Sequence, residues 1–392
     1  MRTAAALSFA LIGYRLMGKA HSHALHSHAL HDVAAFFPDL PARPVKRVIC
    51  GRDSAELEGI ASRWGWESWT TNWRGAVERP DVDAVIVGVP NRLHYDICLA
   101  AAAAGKHILC EKPLAMDAGQ AQEMVAAAER AGIRHGVAFN YRRVPAVALA
   151  RRLIQQGRLG RLYHFRAAYL QDWLLDPDYP LTWRPRREEA GSGTLGDLVS
   201  HSIDLGRFLV GEIAEVVAGA TTFVHERPLR EGAPGGGRGE VTVDDTAALL
   251  VRFAGGAVGN LEASRFSAGR KSGNAFDIYG ERGGLRFDLE RMNELELYST
   301  EDPPDERGFR RVLVTEASHP YLTAWWPTGH IIGWEHTFVH QIHDFIQAVA
   351  TKTPFDPDFA AGAACQRVLD AAQNSLEQRR WVSVDGEGGS GR

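Results

Sequence analysis

The sequence predicts an α/β protein of two domains: a parallel sheet wrapped by helices, then an α/β domain with a large, mostly antiparallel open sheet. Three observations predict it. Short apolar runs alternate with helix-period stretches over the first 140 residues, the pattern of repeated right-handed strand–helix units. A glycine-bearing stretch, Gly13-Tyr14-Arg15-Leu16-Met17-Gly18, follows the first apolar run directly. After Phe139 strand-like runs dominate, and Gly255-Gly256 and Gly283-Gly284 punctuate them as hairpin turns.

At 392 residues the chain is too long for one ordinary core, which itself argues for two domains. The formal net charge is −4 with both signs mixed along the chain, so there is no basic footprint and nucleic acid is not an expected partner. Cys50, Cys98, Cys110 and Cys365 are scattered and form no CxxC, as reduced core cysteines of a cytoplasmic protein would be. Residues 2–12 have some character of a signal sequence, but a glycine turn follows at once and no small-residue cleavage site stands after it. No apolar run approaches the about 20 residues that span a bilayer. The expectation is a soluble, cytoplasmic protein with no membrane partner.

Residues 4–12 read as a buried parallel strand. Gly13 to Gly18 then occupy the place of a G-x-G-x-x-G dinucleotide fingerprint. Gly13 permits the tight turn and Gly18 the close packing of helix on strand, while Arg15 stands where a glycine would let the backbone approach a pyrophosphate. A tandem repeat follows, His21-Ser22-His23-Ala24-Leu25 and His26-Ser27-His28-Ala29-Leu30. Five residues turn a helix by about 500°, so the copies cannot share a face. The spacing suits a repeat expansion of the helix or its loop better than a metal site. A proline-broken loop is expected over 36–44 and a second strand over 45–50. Beyond it, an acid commonly holds the NAD ribose diol and an arginine accommodates a 2′-phosphate. Gly51 takes the acid's place, with Arg52 and Asp53 after it. The choice of cofactor stays open there, as does a plain helix cap at Asp53 or Ser54.

Further alternation is expected: helix 55–64, strand 67–69, helix 73–78, strand 83–88, helix 94–104, strand 107–110, helix 117–131 and strand 135–139. This makes residues 1–140 a dinucleotide-binding domain of Rossmann type. The strand at 107–110 closes on Cys110-Glu111-Lys112-Pro113, at the edge where such sheets bind ligands. A lysine there can bond a substrate hydroxyl. Pro113, with its fixed φ and tolerance of a cis bond, can set the lysine's direction. A solvated strand-end lysine is the plain alternative.

Residues 141–385 form the second domain and 386–392 a flexible tail. A helix over 147–156 is followed by strands at 162–170, 215–225, 241–253, 257–266, 274–279, 284–288, 294–298 and 310–315, with a glycine-rich loop at 231–239. Helices 335–350 and 359–378 close the domain. Between the strands, Gly191-Ser192-Gly193 precedes Asp197 and His201, four apart and so on one helical face. A histidine accepts a proton near neutral pH, and a carboxylate from Asp197 or Asp204 can orient it. A helix-dipole aspartate and a packed histidine is the bland alternative.

The degenerate glycine fingerprint, Pro90-Asn91 with His94, Glu111-Lys112-Pro113, and Asp197-x-x-x-His201 together resemble the Gfo/Idh/MocA oxidoreductase family. The resemblance covers nearly the whole chain. It implies NAD(P)-dependent sugar or polyol chemistry, a C-terminal open sheet used for oligomerisation as a homodimer or homotetramer, and Lys112, Asp197 and His201 as catalytic residues. It also implies cofactor contacts around Gly13, Arg15, Met17, Gly18, Arg52, Asp53, Pro90, Asn91, His94, Glu111 and Lys112, with Asn91 and His94 beside the nicotinamide ribose. A narrower likeness is to levoglucosan dehydrogenase-like pyranose 3-dehydrogenases. It rests on Gly18-Lys19-Ala20-His21-Ser22, Cys50-Gly51-Arg52-Asp53, Asn140-Tyr141-Arg142-Arg143-Val144-Pro145, Tyr169-Leu170-Gln171-Asp172-Trp173, Ala190-Gly191-Ser192-Gly193 and Glu335-His336-Thr337-Phe338-Val339-His340. It implies NAD rather than NADP as cofactor and a sugar substrate oxidised at C3; no metal is expected. Tyr141, Arg143, Gln171, Asp172, Trp183 and His336 are the candidate sugar wall, polar groups with an aromatic platform. Two other activities are compatible with such residues: a glycoside-cleaving hydrolase or lyase that retains NAD and oxidises transiently, and a non-catalytic sugar or NAD sensor.

Overall fold

The computed structural model describes residues 5–25, 33–38, 40–229 and 237–385. The second copy of the repeat, residues 26–30, therefore lies outside the described residues, as do residues 231–236 of the expected loop and the tail 386–392. The chain divides into two compact units, one of Met1–Arg143 with Ile332–Ala364 and one of Val144–Ile331 with Cys365–Arg392. The first unit thus ends at Arg143 rather than residue 140. It also takes in 332–364, a segment expected in the second domain. The physical reason is the helix His336–Thr351. Its Phe338 packs edge-on against the His21 ring at 5.4 Å. Its Thr337 accepts from Asn140 Nδ2 at 2.8 Å, and its Asp344 accepts from Arg143 Nε at 3.0 Å. Local periodicity carries no sign of such a return.

In the first unit the strands β1 (Ala5–Ile12), β2 (Ala42–Cys50), β3 (Ser68–Thr70), β4 (Ala84–Val87), β5 (His107–Cys110) and β6 (His135–Val137) form one sheet in the order β3-β2-β1-β4-β5-β6. Every pairing is parallel. This is the doubly wound order whose direction reverses between β1 and β4, and ligands bind such sheets outside the carboxyl ends of those strands. Strand β2 begins at Ala42 and carries Pro44, where a loop was expected. β3 pairs with it only from Val48 onward, so Pro44 has an open edge where its missing N–H breaks no ladder.

The helices between these strands start and stop on local signals. Asp53 accepts from Glu56 N–H to cap Ser54–Trp64, and Gly65 ends that helix at φ +69°. Asp117 accepts from Gln120 N–H at 2.8 Å to cap Ala118–Ala131. Each cap contributes about 1 kcal/mol.

The second unit contains β7 (Leu162–Leu170), β8 (Ile213–Thr221), β9 (Glu226–Pro228), β10 (Arg238–Glu240), β11 (Thr246–Phe253), β12 (Val258–Ser264), β13 (Gly273–Gly280), β14 (Gly283–Asp288), β15 (Glu294–Ser299), β16 (Arg310–Leu313) and β17 (Val382–Ser383). Nine of them form a sheet ordered β16-β15-β14-β13-β7-β12-β11-β8-β17, while β9 and β10 form a separate ribbon. Only the β7–β12 pair in the large sheet is parallel. On one face Phe165 packs under Gly206 of the helix Ser200–Leu209, where a Cβ would lie 3.1 Å from the ring. The opposite face exposes Leu250 and Val258.

Two expected strands, 215–225 and 241–253, are each broken. Asp245 accepts from Phe223 N–H and Val224 N–H, which ends β8, and Asp244 turns to another segment. Gly283-Gly284 open β14 instead of forming the turn, which is Glu281-Arg282. A Cβ at Gly283 would stand 2.7 Å from Tyr298 O, so the glycine serves close strand approach.

Candidate active site

The cofactor end is built from the residues after β1. Gly13 has φ +108°, and a Cβ on it would meet Gly88 O at 2.1 Å; a Cβ on Gly18 would meet Gly13 O at 2.3 Å. Both fingerprint glycines are therefore required by close approach. The middle position is different. Arg15 has φ −78°, open to any residue, and its side chain leaves the turn. The guanidinium lies 4.7 Å over the Tyr14 ring and pairs with Glu56 Oε1 at 2.5 Å, with the side chain 70% exposed. Tyr14 bears on the next departure too: a Cβ at Gly51 would lie 2.1 Å from its ring, so any larger residue there would have to displace that ring. Asp53 is exposed and serves as the helix cap, and Arg52 beside it is also exposed. A dinucleotide fits these residues. The helix Leu16–Ala24 has no acidic residue in its first turn, so its positive end meets no carboxylate of its own there.

At the ends of β4 and β5 the chain is knotted by His94. Its ring is fully buried, with Nδ1 2.9 Å from Pro113 O and Nε2 3.1 Å from Val89 O. Burial lowers its pKa, against the pull of the two carbonyls. A neutral ring donates to one carbonyl at a time. His94 thus ties the loop after β4 to the loop after β5. The Lys112–Pro113 peptide is cis. Lys112 is half-buried, Asn91 is buried in the short turn Asn91–Leu93, and Pro90 and Met17 are half-buried. Glu111 is buried and receives His21 Nε2 at 2.8 Å. Burial, then the neighbouring Cys98, pushes the Cys110 thiol well above its ordinary range, so it is no nucleophile.

In the second unit Asp197 and His201 stand where the helix begins, but the local geometry is not plain α. Leu195–Val199 is a π-turn that runs into the α-helix Ser200–Leu209. Asp244 fixes its start: Gly193 N–H donates to Oδ1 at 2.8 Å, and Thr194 Oγ1–H and Leu195 N–H donate to Oδ2 at 2.6 and 2.8 Å. A Cβ at Gly193 would stand 1.8 Å from Asp244 O, which makes that glycine obligatory. His201 is 6% exposed and packs on the Tyr169 ring at 5.7 Å. Asp197 Oδ2 receives Arg265 Nη2 at 2.5 Å and has Arg184 Nε at 3.6 Å. Arg265 and Arg184 were not foreseen. They reach Asp197 from distant loops, and Arg184 also stacks 4.7 Å over the half-buried Trp183.

The candidate sugar-wall residues divide between the two units, Tyr141, Arg143 and His336 in the first and Gln171, Asp172 and Trp183 in the second. Arg143 is a buried clamp of its own unit: besides Asp344, it donates to Asp356 O at 2.6 Å and lies 4.6 Å over Phe355. Gln171 Oε1 accepts from Trp173 Nε1 at 2.8 Å. Asp172 is paired with Lys271 at 2.6 Å, which lowers its pKa. Tyr141 is buried. His336 Nδ1 accepts from Gly333 N–H at 3.1 Å, and burial lowers the pKa of the ring. Among the described residues no three metal-ligating side chains are grouped to hold an ion, and no helix is long and apolar enough to cross a membrane.

Known proteins share this sequence and fold. Residues 7–139 match the model of the oxidoreductase family with an NAD-binding Rossmann fold, and 147–286 match the GFO/IDH/MocA C-terminal domain. The chain is 42% identical over 388 residues to levoglucosan dehydrogenase of Pseudarthrobacter phenanthrenivorans, covering 96% of this chain and 98% of that protein. A solved levoglucosan dehydrogenase in complex with NADH superposes with a TM-score of 0.92 at 42% identity, over 97% of this chain and 99% of the other. An oxidoreductase domain protein from Kribbella flavida does so with 0.92 at 47% identity, over 97% and 99%. Both halves of the chain carry the likeness, and the turn after β1 keeps the glycines that a dinucleotide needs, so this protein belongs to the Gfo/Idh/MocA family of NAD-binding oxidoreductases.

Proposed function

We propose that the protein is an NAD-dependent dehydrogenase that oxidises a secondary hydroxyl, at C3, of a pyranose, glycoside or anhydrosugar. The observation that carries this reading is the end-to-end likeness to levoglucosan dehydrogenase, which spans both domains and nearly all of both chains. His201 takes the hydroxyl proton as general base, a role suited to a mostly buried imidazole set against an aromatic ring. Lys112 bonds the same oxygen and stabilises its alkoxide character. Asp197, locked by Arg265, accepts a hydrogen bond from a substrate hydroxyl or orients His201. Gly13, Gly18 and the helix after them hold the pyrophosphate. Bound NAD supplies the hydride acceptor. Association into a homodimer or homotetramer through the open face bearing Leu250 and Val258 belongs to the same reading, and light scattering measures it.

The test is NADH absorbance against a panel of glucosides, anhydrosugars and inositols, with NAD and NADP side by side. Net NADH with a pyranose supports the dehydrogenase. Sugar release without net NADH would replace it with a cleaving enzyme that retains its cofactor. His201→Ala and Lys112→Ala should each lower turnover by about 10²–10⁴-fold while leaving the fold intact. Near-normal turnover in either would remove that residue from the mechanism.

A further inference from the structure

We propose that His21, the first histidine of the repeated motif, is a positioning residue for the reaction: it sets the Glu111 carboxylate and, through it, the backbone of Lys112. The inference rests on the catalytic reading of Lys112. His21 lies on the helix that follows the glycine turn, is fully buried, and has Nε2 2.8 Å from Glu111 Oε1. The other carboxylate oxygen of Glu111 accepts from Lys112 N–H at 3.4 Å. The Glu111 N–H in turn donates to Val87 O at 2.9 Å, so the residue is anchored to the end of β4. One buried carboxylate therefore joins the first helix to the backbone of the candidate catalytic lysine.

Packing alone does not explain a histidine here. The ring stands edge-on to Phe338 at 89°, and Trp334 backs Phe338 at 4.8 Å. A leucine or phenylalanine would fill such an apolar seat. What the histidine adds is the donor for Glu111, and it does so while Nδ1 is buried without a hydrogen-bond partner among the described residues. Because a carboxylate accepts, Nε2 is the donor of this bond, and Nδ1 is left without a partner among the described residues. A buried polar atom kept unpaired in a well-packed site calls for a reason, and orientation of Glu111 supplies one. Ser22 of the same copy is committed as well, since its Oγ accepts from Trp66 Nε1 at 2.7 Å. That second contact fixes the helix rather than the carboxylate.

The experiment compares His21→Leu, His21→Gln, Glu111→Leu, the double variant His21→Leu/Glu111→Leu, and Lys112→Ala in the full-length protein. It reads kcat and KM for the sugar at saturating NAD, the Kd of NADH by fluorescence, and the melting temperature. His21→Leu should lower kcat about 20-fold or more with the NADH Kd within about threefold, and His21→Gln, whose amide reaches the same place as Nε2, should recover to within about fivefold of wild type. The double variant should be no slower than Glu111→Leu alone, because the two side chains act as one unit. A kcat within about twofold of wild type in folded His21→Leu, or a glutamine variant no better than the leucine one, would overturn the proposal. If His21→Leu does not fold, Gln against Glu111→Leu decides: equal slowing of both overturns it, and recovery in Gln alone supports it. Turnover retained by Lys112→Ala would overturn the reading beneath. A dead Lys112→Ala beside an unimpaired His21→Leu overturns only the role of His21.

Discussion

Arg265 Nη2 donates to Asp197 Oδ2 at 2.5 Å from a side chain that is 1% exposed, and its guanidinium lies 5.3 Å over the Trp173 ring. The pair fixes which way the Asp197 carboxylate points on the π-turn. A hydrogen bond between charged partners in such a place contributes about 1.5–3 kcal/mol. Arg265→Met should therefore lower kcat/KM by about 10–100-fold, and Arg265→Lys should not restore it fully, because a lysine lacks the planar fork. Arg184, 3.6 Å away and partly exposed, should matter less, with Arg184→Met changing kcat/KM by about threefold or less. Steady-state kinetics on the three variants check the order. Equal losses at both arginines would contradict it.

Asp244 carries the start of the same helix. Its carboxylate receives three donors from residues 193–195, and nothing else described on the Asp244 side chain explains its place. Asp244→Ala leaves two backbone N–H groups and a hydroxyl without their acceptor, which should cost about 2–4 kcal/mol of unfolding free energy. Asp244→Asn keeps one oxygen and should fall between. Urea unfolding measures both. Loss of kcat at unchanged NADH affinity would be the accompanying sign that the helix bearing His201 has shifted, since the cofactor turn belongs to the other unit. An alanine variant as stable as wild type would show that the clamp is dispensable.

The contrast between what was legible and what was not follows the range of the interactions. The parallel sheet could be read because strand and helix periods are local, and Asp117, Gly65 and Gly132 mark helix ends within a few residues. Lys112 at a strand end and Asp197 and His201 at a helix start stand where the sequence put them. Their supports do not. Arg265 meets Asp197 across 68 residues of chain and Asp244 meets Gly193 across 51. An arginine closing an alternating strand, as Arg265 does after β12, was the one available signal. Residue type did not reveal the partners of Arg143 and His94, since a polar side chain that could line a sugar or a ribose site can equally clamp backbone carbonyls. Only the three-dimensional donors and acceptors decide.

Restoring the fingerprint glycine should do little. The backbone at Arg15 sits at φ −78°, where glycine has no advantage, and the side chain points to Glu56 across an exposed pair. Such a pair contributes about 0–1 kcal/mol. Arg15→Gly should shift the NADH Kd by less than about threefold and lower stability by no more than about 1 kcal/mol, glycine's extra chain entropy included. Fluorescence titration of NADH and thermal melting test it. A tenfold tightening would mean that the side chain obstructs the pyrophosphate after all.

Stability toward acid should depend on His340. The ring is fully buried in the helix His336–Thr351, its Nδ1–H donates to Arg143 O at 2.9 Å, and Phe37 packs edge-on at 6.3 Å. Burial brings its pKa from 6.5 down to about 3. The folded chain therefore holds this histidine neutral, while the unfolded chain protonates it below 6.5. Its contribution is complete above pH 6.5 and is lost as the pH falls toward 3, at a limiting slope of about 1.4 kcal/mol per pH unit. His340→Asn keeps a donor for Arg143 O but cannot titrate. Between pH 7.5 and pH 5 the stability of wild type should fall more steeply than that of the variant, by about 2 kcal/mol in total by that slope. Urea unfolding at several pH values measures the difference. Parallel curves for the two proteins would show that protonation of His340 plays no part in acid unfolding.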